Sequence, residues 1–204
     1  MLKNILNEIL LSDKPSEGIY RLIETGEISR IIPELTALKG FDQQTPYHDK
    51  DVLDHTMAVL DAIEPRLTLR MAALLHDISK PECFTVDEKG IGHFYGHHIK
   101  SAQQAEKILR RLGYDDEFIE EVRILIRYHY IKEVTSSIKE KGIKKFIDSV
   151  GEEHLDDMFE LMRADVMGKK NKDTEPVKKL KDLCNEYLHK KRCHPLREDG
   201  LKGK

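Results

Sequence analysis

Apolar residues recur at intervals of three and four along nearly the whole chain, and this spacing restricts its fold more than any other feature. Side chains three and four apart share one face of an α-helix, whereas a strand requires alternation. Breakers divide the pattern into elements. Helices are expected over about 2–11, before Pro15, and over about 17–25, closed by Gly26. A short helical stretch over 28–38 is interrupted at Pro33, and residues 40–49 read as loop. A helix over about 49–63 ends at Pro65, and the most apolar helix, over about 67–79, follows it. Further helices are expected over about 97–112, stopped by Gly113, and over about 115–128, capped by Asp115 or Asp116. The last three cover about 137–150, 152–167 and 175–191. Only Phe84 to Tyr95 breaks the period, and it reads as a small hairpin turning at Asp87–Gly90. The expected fold class is all-α, a helical bundle with one small β-hairpin insertion. Its expected parts are N-terminal helices (1–45), a core (46–170) and a basic C-terminal helix and tail (171–204).

The 67–79 helix delivers His76 and Asp77 directly after Ala72-Ala-Leu-Leu75, with Lys80 and Pro81 close behind. A buried carboxylate without a partner costs several kcal/mol, so Asp77 needs a cation. Asp165, in Leu161-Met-Arg-Ala-Asp-Val-Met167, has equally apolar neighbours, and either a metal or Arg163 is expected to neutralise it. The imidazoles of His48, His55, His93, His97, His98 and His129 are also available. One histidine taken alone is more often a surface or hydrogen-bonded residue than a ligand. Two demanding carboxylates together with several imidazoles carry more weight. Such a mixed nitrogen and oxygen set suits Zn, Mn, Fe, Ni or Co better than Mg alone. Neighbouring helical residues point about 100° apart, so His76 and Asp77 meet at one ion only near the helix end. His55 and Asp165 would arrive from other helices.

Composition narrows the function classes. With 35% charged residues against 39% hydrophobic, the chain has the balance of a solvated helical protein. No apolar run approaches the roughly 18–20 residues of a membrane helix. The N-terminus carries Asn and Glu and lacks a small-residue cleavage site, so a cytoplasmic location with no membrane partner is expected. The net charge of −3 is not that of a basic polyanion binder. Lysines and arginine do crowd 169–192, which reads first as a solvated helix face and second as a weak nucleic-acid contact. Cys83, Cys184 and Cys193 form no Cys-x-x-Cys pair and read as free thiols, in preference to a site built from Cys184, Cys193 and His194.

The order His55…His76-Asp77…Asp165 resembles the HD-domain superfamily of metal-dependent phosphohydrolases. The flanking text is more specific than the dipeptide. Ile32-Pro-Glu-Leu, Gly40-Phe-Asp-Gln-Gln, Asp51-Val-Leu-Asp-His-Thr, Ala72-Ala-Leu-Leu-His-Asp-Ile-Ser-Lys-Pro, His93-Phe-Tyr-Gly-His and Leu161-Met-Arg-Ala-Asp are similar to the HD region of bacterial CCA-adding tRNA nucleotidyltransferases. The similarity runs over roughly residues 15–170. It implies an HD-domain bundle in which His55, His76, Asp77 and Asp165 ligate a divalent metal. It further implies that His97 and His129 match histidines used for a second ion, and that Lys80 lies near the substrate phosphate. Ser79 stands where glycine is usual after His-Asp-x, and His98 stands where glutamate is usual, so His97, His98 or both are candidates to approach the site. The nucleotidyltransferase head of that family, with its Gly-Ser strand-turn and paired carboxylates, has no counterpart here. An HD unit acting without it is therefore expected.

The activity implied is hydrolysis of a phosphate ester through a metal-activated water, with Asp77 and Lys80 as the catalytic candidates and one or two ions (Mn, Fe, Ni, Co, Zn or Mg) as cofactor. The substrate implied is a small nucleotide or an RNA-end phosphate. Two rival readings differ in class. One is a non-catalytic nucleotide- or RNA-binding HD module; the other is an all-α interaction module with incidental histidines.

Overall fold

The computed structural model describes residues 2–45, 50–130 and 138–193. Helices dominate: α1 (Leu2–Leu10), α2 (Pro15–Glu24) and α3 (Ile28–Ile31) lead into a 3₁₀ turn over Pro33–Leu38. They are followed by α4 (Val52–Ala62), α5 (Leu67–Leu75), β1 (Phe84–Val86), β2 (Gly92–Phe94), α6 (His97–Leu112) and α7 (Asp116–Tyr128). The chain then forms α8 (Glu140–Val150), α9 (Leu155–Gly168) and α10 (Glu175–Cys193). The expected all-α class holds, and the hairpin is the only sheet among the described residues. No described helix is long and apolar enough to cross a membrane.

Local chemistry sets the boundaries. Asp51 caps α4, its carboxylate accepting from Asp54 N at 2.7 Å and from Gly40 N at 2.6 Å. Asp115 caps α7 through Phe118 N at 2.9 Å. Gly113 closes α6 in the left-handed region, at φ 77°, where a side chain is disfavoured. Pro15 opens α2, where its missing N–H costs nothing, so that helix starts earlier than the 17 expected. Residues 131–137 lie outside the described part, and α8 is described from Glu140.

Every residue from Leu69 to Leu75 is buried, Arg70 among them with its guanidinium donating to Ser12 O at 2.6 Å, so α5 sits at the centre of the bundle. Helices α1, α4, α6, α7 and α9 pack around it. α10 lies on α8 and α9 through Leu180, Cys184 and Leu188, a stripe at helical spacing. The hairpin pairs Phe84 with Phe94, Thr85 with His93 and Val86 with Gly92. It closes onto the 41–45 loop, where Gly92 N donates to Gln44 O at 2.8 Å. A Cβ on Gly92 would meet Gln43 O at 2.3 Å, so only glycine permits this approach.

One expectation needs correction. α5 ends at Leu75 rather than Ser79, and residues 76–80 continue as successive tight turns. Ile78 N bonds Leu75 O and Lys80 N bonds Asp77 O. The ring of His76 takes the Ala73 carbonyl at 2.8 Å, the acceptor that another helical turn would have used. His76 and Asp77 thus project from a turn beyond the helix end.

Candidate metal centre

Four helices and one turn bring the predicted side chains together. His55 comes from the middle of α4, His76 and Asp77 from the turn after α5, and Asp165 from α9. His129 is the C-cap of α7 and His97 the first residue of α6. All six are buried, as is Lys80. His55 Nε2 lies 3.0 Å from Asp165 Oδ1 and 3.6 Å from Asp77 Oδ2. His76 Nε2 lies 3.1 Å from Asp77 Oδ2 and 3.9 Å from Asp165 Oδ1. Two triads, His55–His76–Asp165 and His76–Asp77–His129, have ligand atoms within 4.8 Å of one another. His97 stands at the margin, its Nε2 3.5 Å from Asp77 Oδ1.

Three of the rings are locked in the same way. Nδ1 of His76, His97 and His129 meets the carbonyl three residues earlier, on Ala73, Phe94 and Ile126, at 2.8, 2.8 and 2.7 Å. A carbonyl can only accept, so Nδ1 carries the hydrogen and, in the neutral ring, Nε2 keeps its lone pair. In all three the backbone fixes tautomer and orientation, as the outer shell of a metal-binding histidine does.

Charge follows burial and neighbours. Burial pushes the Asp77 carboxyl up, but His76 and the Lys80 ammonium overcome it and hold Asp77 well below the usual range. Burial opposes Asp165 in the same way, and Lys169 and His55 hold it equally low. Burial lowers His55 and His97 and takes His129 down to about 3, favouring the neutral rings that ligation requires. His76 is also penalised by burial, yet Asp77 raises it on balance.

Lys80 Nζ stands 2.7 Å from Asp77 Oδ2 and donates to Gln43 Oε1 at 2.8 Å. Even so, neither oxygen of Asp77 nor His76 Nε2 completes an aligned hydrogen bond with the described residues. Buried lone pairs left this way are costly, and they point at one another. An imidazole and carboxylate set with unpaired donors facing inward fits a divalent ion. The cluster opens into a cleft of about 700 Å³ whose lining includes Asp77, Lys80, His97, His129, Asp165 and Lys169.

The HD domain family model matches residues 47–185 of the 204, well over half of the sequence. The chain belongs to the HD domain family. Over 124 residues this HD domain is 35% identical to a multifunctional CCA protein of Cupriavidus necator, covering 59% of the chain and 29% of that protein. It is 29% identical over 170 residues to an A-adding tRNA nucleotidyltransferase of Deinococcus radiodurans, covering 80% of the chain and 38% of that enzyme. A multifunctional CCA protein of Aromatoleum aromaticum is 32% identical over 143 residues, 68% of the chain and 34% of that protein. The matched stretch is thus about a third of the length of these curated relatives.

Of the two cations expected for Asp165 in this HD domain, a metal or Arg163, the arginine does not serve. Arg163 faces away, donating to Glu160 at 2.7 and 2.8 Å and to Ala62 O at 2.7 Å. Lys169 takes its place, with Nζ 2.6 Å from Asp165 Oδ2. Four residues along a helix return to the same face, whereas two do not. In the sequence Lys169 stands at the head of the basic run, which hides its spacing from Asp165. Two further residues act through contacts that no spacing in the sequence announces. Gln43, from the 41–45 loop, is buried and holds Lys80. At Gly168 a Cβ would meet the His55 ring at 3.0 Å and Val59 at 2.7 Å, so glycine lets α9 close on α4.

The remaining candidates lie elsewhere. His98 is half-buried and stacks on Tyr130, and His93 pairs with Asp87 inside the hairpin at 3.0 Å. His48 and His194 lie outside the described residues. Ser79 has no positive φ that would call for glycine. Its hydroxyl instead donates to Gln104 Oε1 at 2.5 Å, tying the turn to α6.

Proposed function

We propose that this HD domain is a metal-dependent phosphohydrolase, acting on a nucleotide or RNA-end phosphate. The observation that carries the reading is the inward convergence of His55, His76, Asp77 and Asp165 at the base of an open cleft, with Lys80 beside them. These four residues would hold the first ion, and His97 and His129 would assist a second. When bound, a divalent ion supplies Lewis acidity, taking the pKa of a water from about 15.7 toward about 7.

The charge balance supports an anionic substrate. Asp77 and Asp165 carry two negative charges, and Lys80 and Lys169 already offset them. A divalent cation therefore leaves the pocket net positive, which suits a phosphate. Gln43 holds Lys80 through a neutral carbonyl oxygen, and an ion taking over Asp77 would free the ammonium for a phosphoryl oxygen. Asp77 has one oxygen toward His76 and Lys80 and the other toward His97, and the latter would accept a proton from the attacking water. The name of the A-adding relative makes tRNA the substrate of that enzyme; for this chain a nucleotide or RNA end is the class we infer.

The test is a panel of nucleoside monophosphates, 2′-nucleotides and 2′,3′-cyclic phosphates, each with Mn, Co, Ni, Fe, Zn or Mg. Metal-dependent turnover that Asp77→Ala lacks is the expected result. Silence across the panel contradicts catalysis, and nucleotide binding without turnover would favour a non-catalytic module.

A further inference from the structure

Tyr95 and Tyr130 are 68% and 44% exposed, and both border the cleft above the His–Asp cluster. Apolar side chains scattered singly over a surface need no explanation, but here two aromatic rings flank one opening. Each is backed by an imidazole. His93 stacks on Tyr95 with centroids 5.2 Å apart and planes 13° apart. His98 stacks on Tyr130 at 5.8 Å and 23°. His93 is itself held by Asp87, and the Tyr130 ring also meets His97 in a T-shaped contact at 5.2 Å.

A ring backed by an imidazole and still partly exposed is a ready stacking platform. Tyrosine loses little conformational freedom on binding, and its prior fixation reduces that loss further. Two platforms at the mouth of a cleft lined by Lys80 and Lys169 match a ligand with a flat base at one end and a phosphate at the other. We infer that Tyr95 and Tyr130 form a base-stacking rim, so that the site selects nucleotides and single-stranded RNA ends over other phosphate esters. This rests on the phosphohydrolase reading for the floor of the cleft, but the rim makes its own prediction. Stacking tolerates any base. A rim that works by stacking therefore selects for a base without selecting which one.

The test is equilibrium binding to the full chain, stripped of metal by a chelator so that nothing turns over. The probes are AMP and ribose 5-phosphate, which share the phosphate and differ in the base. AMP is expected to bind about tenfold more tightly, in line with a single base stack. CMP, GMP and UMP should fall within about fivefold of AMP. In the Tyr95→Ala/Tyr130→Ala double variant AMP should weaken about tenfold with ribose 5-phosphate unchanged, and the Tyr→Phe pair should retain AMP. Both residues are surface-exposed, and circular dichroism checks that the variants fold. Equal binding of AMP and ribose 5-phosphate by the wild type, including no detectable binding of either, overturns the inference. So does full AMP affinity in the double alanine variant. Turnover without nucleotide preference would sink the rim and spare the hydrolase; AMP preference without turnover would do the reverse.

Discussion

Lys169 Nζ lies 2.6 Å from Asp165 Oδ2, while the other oxygen of that carboxylate faces His55 at 3.0 Å. One group is thus shared between a lysine from its own helix and the cluster. The lysine side chain is 26% exposed, so its pairing is partly screened. Lys169→Met is expected to destabilise the metal-free protein by about 1–2 kcal/mol, because Asp165 loses its cation. Excess metal should shrink that loss, since a bound ion would replace the missing charge. Thermal unfolding in chelator and in Mn(II) measures both; an equal loss in the two conditions would contradict the shared role.

Lys80 competes with any ion for Asp77, 2.7 Å away. Lys80→Met should therefore leave metal affinity unchanged or tighter while lowering turnover about 100-fold, the scale of removing one preorganised donor from a developing charge. Steady-state kinetics alongside metal titration separates the two effects. Weakened metal binding with normal turnover would count against the assignment.

Gly168 marks where α9 closes on α4. Gly168→Ala places a methyl 3.0 Å from the His55 ring and 2.7 Å from Val59. Overpacking of this kind costs about 1–3 kcal/mol. Chemical denaturation should show that loss, and metal titration should show a weaker site because His55 is displaced. A variant with wild-type stability and affinity would mean that the contact has slack.

Without metal, stability should fall as the solution turns acidic. Burial, reinforced by His76, holds His129 down to about 3, whereas an unfolded chain titrates near 6.5. Between those values the unfolded state binds a proton that the folded state refuses, at up to about 1.4 kcal/mol per pH unit. His55 and His97, lowered mainly by burial, act in the same sense. His76 opposes them: burial lowers it, Asp77 raises it on balance, and its contribution is present below about pH 6.5 and lost as pH rises through its folded value. Asp77 and Asp165, lowered well below the usual range despite burial, keep their contribution until the pH drops under about 4. Denaturation midpoints between pH 7 and 5 in chelator should fall for the wild type and less steeply for His129→Gln. A flat profile would contradict the buried neutral ring.

Much of this was legible in the sequence because it rests on local chemistry. Gly113 and Asp115 announced the α6–α7 corner, the Asp87–Gly90 turn announced the hairpin, and the apolar run before His76 announced the central helix. What stayed hidden depends on which way a side chain turns. Arg163 and Lys169 are both cations near Asp165, and only helical phase decides between them. The end of α5 was overestimated because His76 itself takes the Ala73 carbonyl, a choice that composition does not reveal. Gln43 and Gly92 act through a loop and a hairpin distant in sequence, brought together by a contact that no spacing encodes.

The central claim is that His55, His76, Asp77 and Asp165 form a metal centre, and equilibrium titration of the chelator-stripped protein with Mn(II) or Co(II) tests it most directly. Saturable binding of at least one equivalent is predicted, weakened about tenfold or more in Asp77→Ala and His76→Ala variants that remain folded. No binding by the wild type, or binding untouched by either substitution, would contradict it.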